Sequence, residues 1–385
     1  MTDPDQIWSE AVRTLEGGRR FALATVINVR GSAPREIGAK MIVRDDGQFG
    51  TIGGGCGEAE VFRKARLMLD EGVRARLAEV DLTGDFDQKE IGTCGGIMDV
   101  FLDVWSPGPD LELARRLADA AARNRPAALL TLVDPGANSA APTGARTIVD
   151  PARGEGYFKA PVELAKRAMA QIAARTADGV PALIEISETG GANPVTHIES
   201  TGAPRLFLDP ITGAQRLVIA GAGHIAQPLA RLASILGFHV TVIDDRAAFA
   251  SRDRFPTADA IVVKSFAEAI ADINLDRHCY LVSVTRGHSF DEEVVRAALA
   301  RSRGAFIGMI GSRRRVKATL DRIAESGIAR ERLDEVHAPI GVDIGAETPE
   351  EIAIAIIAEI IRERRTATRD RFNLGAKLGR LKSSS

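Results

Sequence analysis

The chain reads as an α/β protein in two parts. An N-terminal α+β domain with an internal duplication comes first, and a C-terminal Rossmann-like, doubly wound parallel sheet follows. Three observations predict this. Past residue 213, short apolar strands alternate with helical stretches; a glycine fingerprint links the first of those strands to its helix; and the region before them repeats itself at an offset of 106 residues.

The repeat needs no gaps. Thr25 matches Thr131, Gly38-Ala39 matches Gly144-Ala145, and Ile42-Val43 matches Ile148-Val149. Gly50 matches Gly156, Leu77 matches Leu183, Glu79 matches Glu185, and Phe101-Leu102-Asp103 matches Phe207-Leu208-Asp209. The matches fall in strand-like blocks and at turn glycines. They define two α+β copies, about 19–105 and 125–211, inside a domain of residues 1–209. The competing reading is a coincidence of apolar patterns, and strand order separates the two, because a true duplication must repeat it.

One element of the first copy has no counterpart in the second. Gly53-Gly54-Gly55-Cys56-Gly57-Glu58 aligns with Lys159-Ala160-Pro161-Val162-Glu163-Leu164. Consecutive glycines let the backbone turn tightly and bring N–H groups close to an anion. Val61, Ala65 and Leu69 keep helical spacing, so a helix begins here with Cys56 at its N-terminus, where the dipole favours thiolate over thiol. Glu58 is a helix cap or a base. Thr93-Cys94-Gly95-Gly96 is a second glycine-flanked cysteine loop, replaced by Glu199-Ser200-Thr201-Gly202 in the second copy. Cys56 and Cys94 form a paired ligand or sulfur-transfer site, or are two small residues in tight turns; both readings stand. A scaffold built twice with loops kept once favours a site carried by the first copy. Cys279, in an apolar strand, reads as a core residue.

A turn-rich link, Asp209 to Gly213, opens the second domain, 214–365. Leu217–Ala220, His239–Ile243, Ala260–Val263, Tyr280–Val284 and Ala305–Met309 read as its buried strands. Gly221-Ala222-Gly223-His224-Ile225-Ala226 has the context of a dinucleotide fingerprint, because Asp244 closes the next strand 23 residues after Gly221. Gly221 permits the turn, Gly223 admits a pyrophosphate to the helix N-terminus, and Asp244 is placed to hold a ribose diol. Arg246 is close enough to accommodate a 2′-phosphate, so NAD and NADP both remain open. Later strands end in Thr285-Arg286-Gly287-His288 and in Gly311-Ser312-Arg313, further candidates for phosphate contact. His288 reads equally as a general acid or a turn residue. Arg314 and Arg315 read as a solvated helix face. Thr348-Pro349-Glu350-Glu351 is a capped start for an apolar helix, Glu350–Arg364, buried against the sheet or a partner chain, and a homo-oligomer is expected. Residues 366–385 read as a mobile tail.

Composition narrows the function classes. A formal charge of −2 makes no case for nucleic acid, and the longest apolar run, Ile352–Ile361, contains Glu359 and is short of a membrane span. The acidic N-terminus lacks the regions of a secretion signal, and three scattered cysteines suit a reducing compartment. A cytoplasmic protein is expected.

These motifs, in this order, resemble the xanthine dehydrogenase accessory factors, the XdhC/CoxI family. The resemblance runs through nearly the whole chain. It rests on Gly31-Ser32-Ala33-Pro34-Arg35, Gly53–Glu58, Cys94-Gly95-Gly96, the fingerprint Gly221–Ala226, Ile307–Arg313, His337-Ala338-Pro339-Ile340-Gly341 and Thr348–Glu351. It implies a molybdenum cofactor chaperone, more an accessory factor than a turnover enzyme. Such a protein binds molybdopterin, as such or in its dinucleotide form, and protects it while a cysteine desulfurase supplies the sulfido ligand. It then delivers the cofactor to the apo-enzyme of a xanthine dehydrogenase or CO dehydrogenase-type molybdenum hydroxylase. In that frame Cys56 is a candidate molybdenum contact. Two alternatives remain: an NAD(P)-dependent oxidoreductase with Arg286 and His288 at the reacting end, and a nucleotide-sensing regulator.

Overall fold

In the computed structural model, two sheets in the first 211 residues are laid out alike. The structure describes residues 4–82, 95–123, 125–137, 142–150, 155–156, 171–173, 175–176, 179–187, 191–195, 202–211, 215–302 and 304–382. The first sheet contains β1 (Phe21–Arg30), β2 (Lys40–Arg44), β3 (Gly47–Gly50), β4 (Ala75–Asp81) and β5 (Ile97–Trp105), in the order β3-β2-β1-β5-β4. The second contains β6 (Ala127–Asp134), β7 (Arg146–Asp150), β8 (Glu155–Gly156), β9 (Ala182–Ile186), β10 (Ala192–Pro194) and β11 (Arg205–Ile211). Its order, β8-β7-β6-β11-β9, repeats the first and adds β10 at the edge. Every described pairing in both is antiparallel. The expected duplication is therefore present in the strand order as well as the sequence.

The central strand β1 is an apolar run buried along eight residues, as a strand covered on both faces must be. On one face Ala22, Ala24 and Val26 pack with Val61, Ala65, Met68 and Leu69 of the helix Gly55–Glu71. On the other, Phe21, Leu23 and Trp105 pack with Ile7 and Trp8 of the helix Pro4–Glu16 and with Leu117 of the helix Leu111–Ala122. Leu129, Ile148 and Ile211 of the second copy join that cluster. Among the described residues, two ion pairs cross between the copies. Lys40 Nζ donates to Asp209 Oδ1 at 2.8 Å, and Arg146 pairs with Asp103. The offset of 106 equates Lys40 with Arg146 and Asp103 with Asp209, so each copy reaches into the other with the same pair of positions.

The C-terminal sheet has the order β14-β13-β12-β15-β16-β17: β12 (Arg216–Ala220), β13 (His239–Asp244), β14 (Ala260–Val263), β15 (Cys279–Ser283), β16 (Phe306–Met309) and β17 (Val336–His337). All pairs are parallel, and in chain order this is 3-2-1-4-5-6, the dinucleotide-binding arrangement. The short sixth strand extends the five read from the sequence. It is two residues long, too brief for an apolar run to announce it. The helix Ala226–Ile235 and the start of the helix Pro349–Lys382 cover one face. The helices Phe266–Ala271, His288–Arg301 and Arg313–Glu325 cover the other. Glu351 N–H donates to Thr348 Oγ1 and Thr348 N–H to Glu351 Oε2, the expected capping box. That last helix runs on to Lys382, through most of the stretch read as a tail. By backbone proximity the chain divides into Met1–Gly213 with Arg371–Ser385, and Ala214–Asp370.

Candidate functional site

Gly53, Gly54 and Gly55 have φ of 138°, 75° and 67°, three successive left-handed residues that only glycine adopts cheaply. The loop they form is fastened by Glu58. Its Oε2 accepts from Thr51 Oγ1 at 2.5 Å, from Ile52 N–H at 2.9 Å and from Gly54 N–H at 3.1 Å, while Oε1 accepts from Gln48 Nε2 at 2.8 Å. Partial burial pushes the Glu58 carboxyl up, but these donors outweigh it and hold the group below its usual range. Glu58 thus accepts four hydrogen bonds, two of them from N–H groups of the turn at the start of the helix. Gly55 opens the helix, and Cys56 follows in its first turn, exposed. A Cβ built on Gly54 or Gly55 meets nothing within 4 Å, so the loop presents bare backbone beside the thiol.

Three of the sequence motifs, this loop among them, pack in series. A Cβ on Gly53 would lie 2.4 Å from Pro34 Cγ, and one on Gly96 would lie 2.2 Å from the Ser32 carbonyl oxygen. Gly31 backs onto the Gly95 carbonyl in the same way. The segment Gly31–Arg35 is therefore wedged between the Gly53 loop and Gly95-Gly96, with Leu82 N–H donating to Gly96 O at 2.8 Å. Gly57 completes the packing, since a Cβ there would lie 2.9 Å from Val80 Cγ1. Cys94 lies outside the described residues, as do Lys159–Leu164 of the second copy. Cys279 is buried, and burial pushes its thiol up to about 12, which fits the core role read for it.

The second set of candidates gathers at the carboxyl edge of the parallel sheet. Gly221, φ 109°, turns so closely under β15 that a Cβ would sit 2.6 Å from the Val284 carbonyl oxygen. Gly223 has open space around it, and His224 is exposed at the mouth of the turn. Asp244 is 1% exposed, and its oxygens are already engaged. Oδ2 accepts from Ala222 N–H at 2.8 Å and Arg246 Nη2 at 3.0 Å; Oδ1 accepts from Arg246 N–H at 3.0 Å and Nε at 2.8 Å. Burial pushes its carboxyl up, and these donors pull it below the ordinary value. The acceptor read as a ribose anchor thus holds the glycine turn to Arg246.

Asp245, Phe249, Arg254 and Phe290 also shape this edge, and none of them was singled out from the sequence. Arg286 forks onto Asp245 at 2.6 and 2.7 Å, and this pairing holds the Asp245 carboxyl down at about 2. Arg286 also lies 3.9 Å over the Phe290 ring, and Arg246 lies 3.8 Å over Phe249. Arg254 donates to Ala222 O at 3.1 Å. Three guanidiniums therefore frame the glycine turn; an Asp-Asp-Arg run after a strand is the signal that marks two of their partners. His288 is exposed at the head of its helix, and Ser312 caps the helix of exposed Arg313 through Arg315 N–H at 3.3 Å, with Gly311 in the turn before it. The expectation of a solvated Arg315 is corrected. Its Nη2 reaches Asp291 Oδ2 at 2.5 Å, and Asp291, fully buried, also accepts from Ser283 and Thr285. A buried carboxylate needs a cation, and Arg315 is one helical turn from the sheet edge.

The fold and site define a dinucleotide-type sheet joined to a duplicated α+β unit that carries one glycine–cysteine loop. Comparison with known proteins places that class. Residues 217–360 match the model of the XdhC Rossmann domain, and residues 14–81 match that of the XdhC and CoxI family. The two matches together span more than half of the chain, which belongs to the XdhC and CoxI family. Among relatives, it is 26% identical to a probable xanthine dehydrogenase subunit of Bacillus subtilis (strain 168), over 91% of this chain and 95% of that one. It is 25% identical to the molybdenum cofactor insertion chaperone PaoD of Escherichia coli (strain K12), over 91% and 85%. It is 24% identical to YqeB of the same strain over 94% of this chain, which spans 47% of YqeB. The crystal structure of a xanthine dehydrogenase from Bacillus halodurans superposes with a TM-score of 0.69 at 25% identity, covering 95% and 96% of the two chains.

Proposed function

We propose that this protein is an accessory factor of molybdenum hydroxylases that binds the molybdenum cofactor, shields it, and hands it to the apo-enzyme. The observation that carries the reading is the Gly53–Glu58 loop. It combines a bare glycine turn of three left-handed residues, a helix N-terminus and an exposed thiol, and Glu58 holds the turn in place. A phosphate-bearing pterin suits the helix N-terminus, and a soft sulfur ligand suits molybdenum or a persulfide. The relationship to PaoD supports the cargo.

The finer parts of the reading are that Cys56, with Cys94, handles metal or sulfur during sulfuration by a cysteine desulfurase, and that a molybdenum hydroxylase of the xanthine dehydrogenase kind receives the product. Among the described residues no helix is long and apolar enough to cross a membrane, and a cytoplasmic homo-oligomer fits the proposal. The carboxyl edge of the parallel sheet holds either the cofactor's own nucleotide or a separate NAD(P). Gly221, Gly223 and His224 would contact the nucleotide from the turn, and Arg286, His288, Gly311, Ser312 and Arg313, which follow later strands of the same sheet, are the further candidates. For a nucleotide to use Asp244, the Arg246 side chain must first leave it.

The test is to express the chain with a cofactor source and assay bound molybdenum and pterin, then repeat with Cys56→Ala. We expect both to copurify with the parent, and the variant to fold but lose protection of the cofactor. Neither metal nor pterin on the parent, with stoichiometric NAD(H) and a measurable turnover, would overturn the chaperone reading in favour of an oxidoreductase.

A further inference from the structure

A group of metal-ligating side chains includes no residue of either glycine loop. His337 ends β17, and Glu359 and Glu363 stand one turn apart on the helix Pro349–Lys382. One ligand atom from each falls within 4.8 Å of the other two. We propose that His337, Glu359 and Glu363 bind a divalent first-row transition cation.

One imidazole and two carboxylates form a donor set that such ions take up, with room left for water or a further ligand. Two of the three donors are held in place by their surroundings. Glu359 is 7% exposed, and its Oε2 accepts the Gly341 N–H, which leaves Oε1 to face His337 Nδ1 at 3.2 Å. The His337 ring stacks on Phe306 with centroids 4.2 Å apart, which fixes its plane. Supports of this kind orient ligands in metal sites. The third donor, Glu363, is half-exposed and free to adjust.

An internal clasp between strand and helix explains part of this arrangement: His337 and Glu359 alone would tie the two. It does not explain Glu363, whose carboxylate adds a second negative charge beside a buried one, an unfavourable placement without a cation. Arg362 supplies some positive charge. Its Nη2 meets Glu359 Oε1 at 3.1 Å and its Nε meets Glu363 Oε1 at 3.4 Å. That side chain is 55% exposed, so the pairing is weak and readily exchanged. A bound ion would take over the guanidinium's role at the same two oxygens. The proposal is independent of the chaperone reading, because it involves neither glycine loop.

Mn(II) is the probe, since a hard ion leaves Cys56 untouched. Purified, chelator-treated full-length protein is titrated with Mn(II), and the unbound ion is followed by electron paramagnetic resonance. One saturable ion per chain is expected. Glu363→Gln should weaken binding by about tenfold or more, the scale on which a site responds to losing a supporting group. Arg362→Gln should tighten it, because it removes the competing cation; a mere clasp gives no such gain. His337→Gln should weaken binding too, and half-exposed Glu363 keeps the test sound if that variant folds poorly. No saturable Mn(II) on the parent, unchanged binding in Glu363→Gln, or no tightening in Arg362→Gln overturns the site.

Discussion

Glu58 shows how one side chain can hold a loop that has almost no side chains of its own. Four donors converge on it, two of them N–H groups of the turn. Glu58→Ala leaves those donors without their acceptor, and we expect a loss of about 1–3 kcal/mol, read from the urea midpoint. The same variant should alkylate faster at Cys56, because the first helical turn is no longer anchored. The acid dependence has a definite sign. The folded pKa lies below the unfolded 4.5, so the stabilisation is present above that value and is lost as pH falls through the folded one. Glu58→Ala should therefore lose less stability than the parent on acidification below about pH 4.5. In the parallel-sheet domain, the Arg246 side chain occupies Asp244. Arg246→Met should raise affinity for a dinucleotide with an unmodified ribose by about tenfold, near 1.4 kcal/mol, and lower it for a 2′-phosphorylated one. Calorimetric titration with NAD and NADP checks both directions.

At the scale of elements, Gly31–Arg35 is the piece that joins the glycine motifs, and its role follows from what it touches. Gly96→Ala would drive a Cβ into the Ser32 carbonyl, a backbone group that cannot rotate away. We expect a cost of about 2 kcal/mol or more, and a displaced Pro34 that no longer backs Gly53. The melting temperature and the Cys56 alkylation rate should move together; a drop in one alone would mean the segment does not couple the motifs. Much of this architecture was legible beforehand. Repeating glycines and strand blocks showed the duplication because turns and buried strands leave fixed residue types, and Gly221 with Asp244 showed the parallel sheet for the same reason. What stayed hidden depended on contacts between segments distant in sequence. Nothing local to Asp244 says that Arg246 will cover it, and Arg315 looks like any basic helix residue until Asp291 is seen buried beneath it. β17 was hidden because two residues carry no periodicity.

At the scale of the whole duplicated unit, the crossed ion pairs join the shared apolar clusters in tying one copy to the other. Lys40 reaches Asp209 and Arg146 reaches Asp103, with both acids buried. The pairs have diverged in one respect. The Asp103 side also holds Trp105, whose Nε1 donates to Asp103 at 3.0 Å and whose ring lies 4.1 Å from the Arg146 guanidinium carbon, with Asp110 as a second acid nearby. Burial pushes the Asp103 carboxyl up to about 6, Arg146 opposes that, and Asp110 adds to it. Asp209 is pushed upward by burial as well, with Lys40 opposing. A carboxyl whose folded pKa exceeds its unfolded 3.8 binds its proton more tightly in the folded state. Its contribution is complete below the unfolded value and is lost as pH rises through about 6. Asp103→Asn cannot titrate, so the stability of the parent relative to this variant should grow as pH is lowered from 7 toward 4. Two units of pKa set its upper limit at roughly 3 kcal/mol. Denaturant unfolding of both proteins across that range measures the difference directly. A difference that stays flat, or grows toward pH 7, would mean that Arg146 keeps Asp103 ionised throughout and that the clasp between the copies does not respond to acid.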